Sequence, residues 1–319
     1  MIDKQKYREF CKKEKSLPIF SKDWWLDAVC GEDNWSVVLI ENDNGEIIAS
    51  LPYYKEKEYG FNTIKMPEFT QNFRLLIKYP KGQKYGKRLS YEEKIITEII
   101  ERLPKYDRFN LNFYYSLTNW LPFYWKGFKQ TTRYTYVIED LSDLNKVFNS
   151  FSRSKRENIR RAEEIVKVFT DLPAKDFYEN HRLTLKKQNN EISYSFSIFE
   201  NIYNNVYMHD SGKVFYAIDG KNNLHAALLI IWDDIQAYGL INTIDPDYRN
   251  SGAAALVTKE VIKYISTRTK KFDFEGSMIK GVENSYRQFG TIQKSFFNIS
   301  KINSKVLQLA IWVRKVIGK

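Results

Sequence analysis

Three groups of residues in this chain have types and spacing that could do chemistry. In Phe272-Asp273-Phe274-Glu275-Gly276-Ser277 two carboxylates alternate with two phenylalanines, which on a strand puts both carboxylates on one face. Such a pair can take a proton from a nucleophile or return one to a leaving group. The second group, Arg249-Asn250-Ser251-Gly252-Ala253-Ala254, joins an apolar run, 238–244, to a helical stripe of Ala254, Val257, Val261, Tyr264 and Ile265. Small residues at a helix start let a ligand approach unpaired amides at the positive end of the dipole, where phosphate is favoured. Plain packing of helix on sheet is the competing use of the same residues. The third group is basic: Arg153, Arg156, Arg160 and Lys167 recur along one side of residues 150–167. Cations in a first helical turn oppose the dipole, a cost that a bound anion would relieve. Glu157, Glu163 and Glu164 leave open the other reading, a solvated, salt-bridged face.

These groups need elements to hold them. Asp245-Pro246 stops the strand before the small-residue turn, since proline cannot donate to a ladder. Upstream, the patterns predict helices at 177–187 and 197–209, then strands at 214–218, 224–232 and 235–244. In the first half Ser21 is placed to cap a helix ending at Gly31, and Asn42-Asp43-Asn44-Gly45 turns a hairpin between 37–41 and 46–51. A strand at 61–66 is broken by Pro67-Glu68-Phe69-Thr70-Gln71-Asn72, a basic loop covers 80–90, and Ser90 is placed to cap a helix over 91–103. Strands are expected at 109–115 and 133–139, and a last helix at 302–317 with Val306, Leu309, Val313 and Val316 inward.

Strand, short aromatic helix, glycine and strand occur twice at similar spacing. Phe109 leads to Tyr124 and Gly127-Phe128; Phe272 leads to Tyr286 and Phe289-Gly290. This predicts an internal duplication, with a boundary near 141–143 and domains of 1–140 and 141–319.

Composition bounds the rest. A chain of 319 residues, 43% hydrophobic, can bury two cores. Cys11 and Cys30 are too few for a disulfide scaffold, and the charged N-terminus resembles neither a signal peptide nor a membrane span, so a cytoplasmic protein is expected. The formal charge of +11 favours anionic partners. His181, His209 and His225 lack metal-ligand spacing, and neither a Gly-x-Ser-x-Gly elbow nor a P-loop is present. No metal is expected.

Arg249-x-x-Gly252-x-Ala254 resembles the (Arg/Gln)-x-x-Gly-x-(Gly/Ala) turn of the GNAT acyltransferases. Asp273-Phe274-Glu275-Gly276-Ser277 followed by a short helix and Phe289-Gly290 resembles their FemABX-like branch. The resemblance implies an α/β (α+β) fold of two tandem GNAT-like domains, each a mixed, mostly antiparallel sheet flanked by helices. It assigns Arg249, Asn250, Ser251, Gly252, Ala253 and Ala254 to the pyrophosphate of acyl-CoA, and turns Gln71 and Asn72 toward a cleft. It also implies a first domain without donor binding. The activity implied is N-acyl transfer from acyl-CoA, with acetyl-CoA the expected donor, to an amine such as an amino sugar or cell-envelope precursor, nucleotide-linked if Arg153, Arg156 and Arg160 hold its phosphates. Glu275 is then the candidate base with Asp273 as second choice, and Tyr286 the acid. Capping by Glu275 and packing by Tyr286 are their structural alternatives. FemABX enzymes proper use aminoacyl-tRNA to extend peptidoglycan side chains. That donor, and an inactive pair of domains binding a precursor or RNA, stay open as alternatives.

Overall fold

The structure is a computed structural model and describes residues 2–317. The chain forms two compact units, Met1–Arg133 with Ser295–Lys319, and Tyr134–Lys294. This differs from the expected split into 1–140 and 141–319, because the last strand pairs inside the first unit.

The charged N-terminal segment, for which the sequence suggested no element, forms α1 (Ile2–Lys13), burying Tyr7 and Cys11 one turn apart. Then come α2 (Asp23–Cys30), β1 (Trp35–Glu41), β2 (Ile47–Glu58), β3 (Phe61–Lys65), β4 (Leu76–Ile77), α3 (Tyr85–Arg102), β5 (Arg108–Phe113) and α4 (Leu121–Trp125). Two expected caps are corrected. Ser21 is buried in a short 3-10 turn, and Lys22 takes the N-cap position of α2. Ser90 lies inside α3, its hydroxyl donating back to the Gly86 carbonyl at 3.3 Å, so part of the expected basic loop is helical.

Strand β6 (Lys129–Ile138) runs from the first unit into the second. The second unit continues with α5 (Leu144–Ser150), α6 (Arg153–Ile165), β7 (Val166–Thr170), α7 (Ala174–Lys187), α8 (Phe196–Met208), β8 (Gly212–Asp219), β9 (Leu224–Trp232), β10 (Ala237–Ile244), α9 (Ala253–Ile265), β11 (Phe272–Asp273) and α10 (Lys280–Arg287). Finally β12 (Ile292–Ile302) and α11 (Lys305–Ile317) return the chain to the first unit.

Each unit repeats one plan. In the first, antiparallel β1, β2 and β3 lead through α3 to β5, parallel to β3. In the second, antiparallel β8, β9 and β10 lead through α9 to β11, parallel to β10. A helical crossover is what a parallel neighbour requires. The following strand of each half is exchanged: β6 pairs with β11, and β12 pairs with β5 from Phe297↔Phe113 to Ile302↔Arg108. The nearly continuous apolar run of β9 is buried along its length, as a strand covered on both faces should be.

The expected inward face of the last helix is also corrected. Val306, Leu309, Val313 and Val316 of α11 are exposed, and the half-buried residues are Leu307 and Ile311.

Ile299 of β12 is fully buried in the core that holds Val37, Ile64, Phe109 and Leu111. Ile299→Ala should cost about 2–5 kcal/mol through the cavity it leaves. Amide exchange should then accelerate in β1, β3 and β5 rather than in β8 to β10, and the opposite pattern would return β12 to the second unit.

Candidate active site

The second unit owes its slot to how briefly two strands run together. β10 and β11 pair only at Ala237↔Phe272 and Tyr238↔Asp273, and a register shift between Gly239 and Ile241 kinks β10. Bulges bend a strand and aim it away from its neighbour. In the wedge that opens lie Gly239, Asn242 and Ile244 of β10, Ala254, Ala255 and Thr258 of α9, and Phe274, Ser285, Tyr286 and Phe289 beyond β11. The cavity is narrow, ≈ 50 Å³, and reaches the start of α9 at Ala254 and Ala255.

Helix α9 begins where expected, with Ala253, Ala254, Ala255 and Leu256 supplying strong helix formers. Most of the preceding turn, however, has structural work. Ser251 Oγ accepts from the Ala253 amide at 3.2 Å, and the Gly252 carbonyl takes the amides of Ala255 and Leu256. Gly252 is left-handed, φ +80°, and a Cβ there would stand 2.2 Å from the Asn158 carbonyl of α6. Close approach of α6, with no ligand needed, therefore accounts for the glycine. Arg249 and Asn250 are exposed. Ala254 lines the wedge, and its amide makes no hydrogen bond among the described residues.

The two carboxylates are not equivalent. Asp273 is fully buried, and its Oδ1 accepts from the Thr135 hydroxyl and, at 2.8 Å, from the Glu275 amide. Burial pushes its carboxyl up to about 7 against those two bonds. The expected alternation ends early, because β11 stops at Asp273. Glu275 sits in a left-handed turn, φ +60°, a conformation that costs a non-glycine residue energy and often marks a functional position. Gly276 continues the turn at φ +58°, where a Cβ would strike the Tyr134 carbonyl at 2.2 Å. Glu275 Oε1 is shielded and has no partner among the described residues, and burial together with the Asp273 charge holds its carboxyl well above the ordinary range. Neither carboxylate lines the wedge.

Tyr286 does line it, packed on Phe274 at 5.0 Å between ring centroids. Burial, reinforced by the charges of Glu275 and Asp273, pushes its hydroxyl up to about 12. It stays protonated at neutral pH, as a proton donor must.

A further side chain in the wedge, Lys155, was missed by sequence reasoning. It is 7% exposed, its Nζ 3.2 Å from Ser285 Oγ and 4.4 Å from the centroid of the Phe289 ring. Among the described residues no carboxylate pairs with it, and burial lowers it to about 8. The signal was available: Lys155 stands four residues before Ile159 and seven before Ala162, the buried side of α6. Arg153, Arg156 and Arg160 lie off that side. Arg153 pairs with Glu157 at 2.7 Å, Arg156 donates to the carbonyls of Asn149 and Phe151, and Arg160 is exposed.

Gln71 and Asn72 belong to the first unit, where Phe73 bridges in parallel to Phe113 of β5. The loop thereby occupies the place beside β5 that stands open beside β11. Asn72 is buried and donates to Gln71 Oε1 at 3.0 Å, while Gln71 Nε2 and Asn72 Oδ1 have no partner among the described residues. Also among the described residues, no cluster of three His, Cys, Asp or Glu side chains could hold a metal, and no helix is long and apolar enough to cross a membrane.

At the sequence level no family model matches, and no curated protein matches. The fold, by contrast, is shared with FemX, with a TM-score of 0.68 at 14% identity over 97% of this chain and 98% of that one. L-PGS from Bacillus licheniformis gives 0.56 at 10% identity over 98% and 97%. A protein of Agrobacterium fabrum described as the C-terminal domain of a lysylphosphatidylglycerol synthetase gives 0.55 at 9% identity over 99% and 96%. The chain has the fold of FemX along nearly its whole length.

Gly252→Ala should destabilise by about 1–3 kcal/mol, since a clash with backbone cannot be relieved by a rotamer change. The loss should be the same with and without added acyl-CoA. Ala254→Leu should instead leave thermal unfolding nearly unchanged and block the wedge. A Gly252→Ala protein as stable as wild type, with acyl-CoA binding lost, would return that glycine to the ligand.

Proposed function

We propose that this protein is an N-acyltransferase that moves an acyl group from a thioester, acyl-CoA, to an amine. The observation that carries this reading is the wedge between β10 and β11, which places Tyr286 and Lys155 in one narrow slot beside the free amide of Ala254. A slot of ≈ 50 Å³ suits an extended arm better than a ring system. The pyrophosphate of the donor would meet the start of α9 at Ala254, with Arg249 and Asn250 exposed beside it.

In this mechanism the amine nitrogen attacks the thioester carbonyl and a C–N bond forms. Lys155, as a cation, polarises the carbonyl oxygen as it becomes negative. Glu275, which does not itself line the wedge, takes the ammonium proton through one intervening water. As the C–S bond breaks, the Tyr286 hydroxyl protonates the departing thiolate. Asp273 is a positioning residue, because its hydrogen bond to the Glu275 amide fixes the turn that carries the base. The bound acceptor is an amine of a sugar or cell-envelope precursor, and the exposed guanidinium of Arg160 is the stripe's freest contact for its phosphates.

A second reading, aminoacyl-tRNA as donor, is favoured by the likeness to FemX and by the charge of +11. Only the leaving group changes, from a thiolate to a ribose hydroxyl. Free-thiol release from acetyl-CoA with a panel of amines, set against deacylation of aminoacyl-tRNA, separates the two. The tRNA reading also requires RNA binding whose salt slope becomes shallower in Arg156→Glu/Arg160→Glu. Neither reaction with any amine would leave a binding module.

Glu275→Gln and Tyr286→Phe should each lower turnover about a hundredfold or more with donor affinity nearly intact. The pH profile carries separate signs. Glu275 acts deprotonated, so activity should fall as pH drops through its raised pKa, and Glu275→Gln should lose that limb. Lys155 acts protonated, so activity should fall as pH rises through about 8. Lys155→Arg should keep the plateau above that pH, and an unchanged alkaline limb would remove Lys155 from the reaction.

A further inference from the structure

Helix α11 presents an apolar face to solvent. Val306, Leu309, Val313, Val316 and Ile317 fall on one side at helical spacing, with Trp312 at its margin. Most of them are open, Val306 at 69% exposed, Leu309 and Trp312 at 60%, Val316 at 56% and Ile317 at 76%, while Val313 in the middle of the face is 37% exposed. Leu307 and Ile311, one turn apart on the other side, are the half-buried residues through which the helix is seated. Single exposed leucines are ordinary, whereas a contiguous face of this kind marks an interaction surface.

Charge selects the occupant. The helix carries Lys305, Arg314 and Lys315 and no acidic residue, and the nearest acid before it in the sequence is Glu283. Two copies of this chain meeting face to face would bring Lys305 against Arg314 in an antiparallel contact, or each cation against its own kind in a parallel one. No carboxylate of the helix offsets either arrangement. A bilayer with negative headgroups matches both features, with hydrocarbon for the face, headgroups for the cations, and the boundary between them for the tryptophan. A helix that is apolar on one side and seated on the fold through Leu307 and Ile311 on the other would lie along the surface.

We propose that α11 is an in-plane membrane-docking helix that holds the protein on an anionic lipid surface through Leu309, Trp312, Val313 and Val316, with Lys305 and Arg314 on the headgroups. The proposal does not depend on which acyl donor is used.

Co-sedimentation of the full chain with phosphatidylcholine vesicles, with and without phosphatidylglycerol, tests it. Wild-type protein should bind the anionic vesicles about tenfold or more tightly than the neutral ones, and high salt should weaken the binding. Leu309→Glu/Val313→Glu should abolish it. Trp312→Ala and Arg314→Glu should each weaken it while the thermal unfolding of all these exposed-site variants stays that of wild type. Wild-type protein that ignores anionic vesicles, or a double variant that binds as well as wild type, overturns the proposal. So does concentration-dependent dimerisation removed by the same double substitution, which would assign the face to a second copy.

Discussion

A buried carboxyl that no cation among the described residues pairs sets the geometry of the second unit. Asp273 ends the two-residue strand β11, accepting from Thr135 on the neighbouring strand and from the amide of Glu275. The second bond closes a turn that runs left-handed through Glu275 and Gly276, with no room for a side chain at Gly276. The chain is thus led away from β10 after two residue pairs, and the wedge follows. A buried acid is costly, and an uncharged residue of similar size would be the simpler way to fill that space. What an acid at this position adds is an acceptor for the Glu275 amide and a nearby negative charge, which together with burial raises the Glu275 carboxyl.

The two halves show what the same plan does with and without that opening. Beside β5 the corresponding place is closed: Phe73 is fully buried and exchanges backbone hydrogen bonds with Asn112 and Tyr114. A phenylalanine and its loop thus stand where the second unit keeps space. The loop that leads to Phe73 is anchored in its own unit, with Thr70 accepting from the buried Trp25 indole at 3.0 Å. A duplicated unit can lose a slot in this way without losing its sheet.

Much of this was legible in the sequence because it rests on local pattern. The run at 224–232, the hairpin turn at Asn42 to Gly45 and the alanine-rich start of α9 announce themselves through periodicity and turn chemistry. What was not legible depends on partners distant in sequence. Gly252 reads as room for a ligand until Asn158 is seen against it, and Arg156 reads as a binding arginine until the carbonyls of Asn149 and Phe151 are seen to hold it. The inward reading of α11 failed for a different reason. An amphipathic stripe tells which side is apolar but not whether the fold covers it, and here the fold covers Leu307 and Ile311.

The exchange of β6 and β12 bears on how the chain is made. Strand β5 meets its outer neighbour only in β12, with Asn298 bonded to Asn112 across 186 residues of sequence. On a ribosome the first half therefore emerges with the ladder edge of β5 unpaired, and it must wait for the second half to be synthesised, on the order of 10–40 s at about 5–20 residues per second. Throughout that interval a strand of alternating Phe109, Leu111 and Phe113 offers free backbone groups to any passing chain. The second half has no such delay, since β6 has already left the ribosome when β11 appears. Folding order is thereby inverted relative to synthesis: the unit begun first is the one completed last.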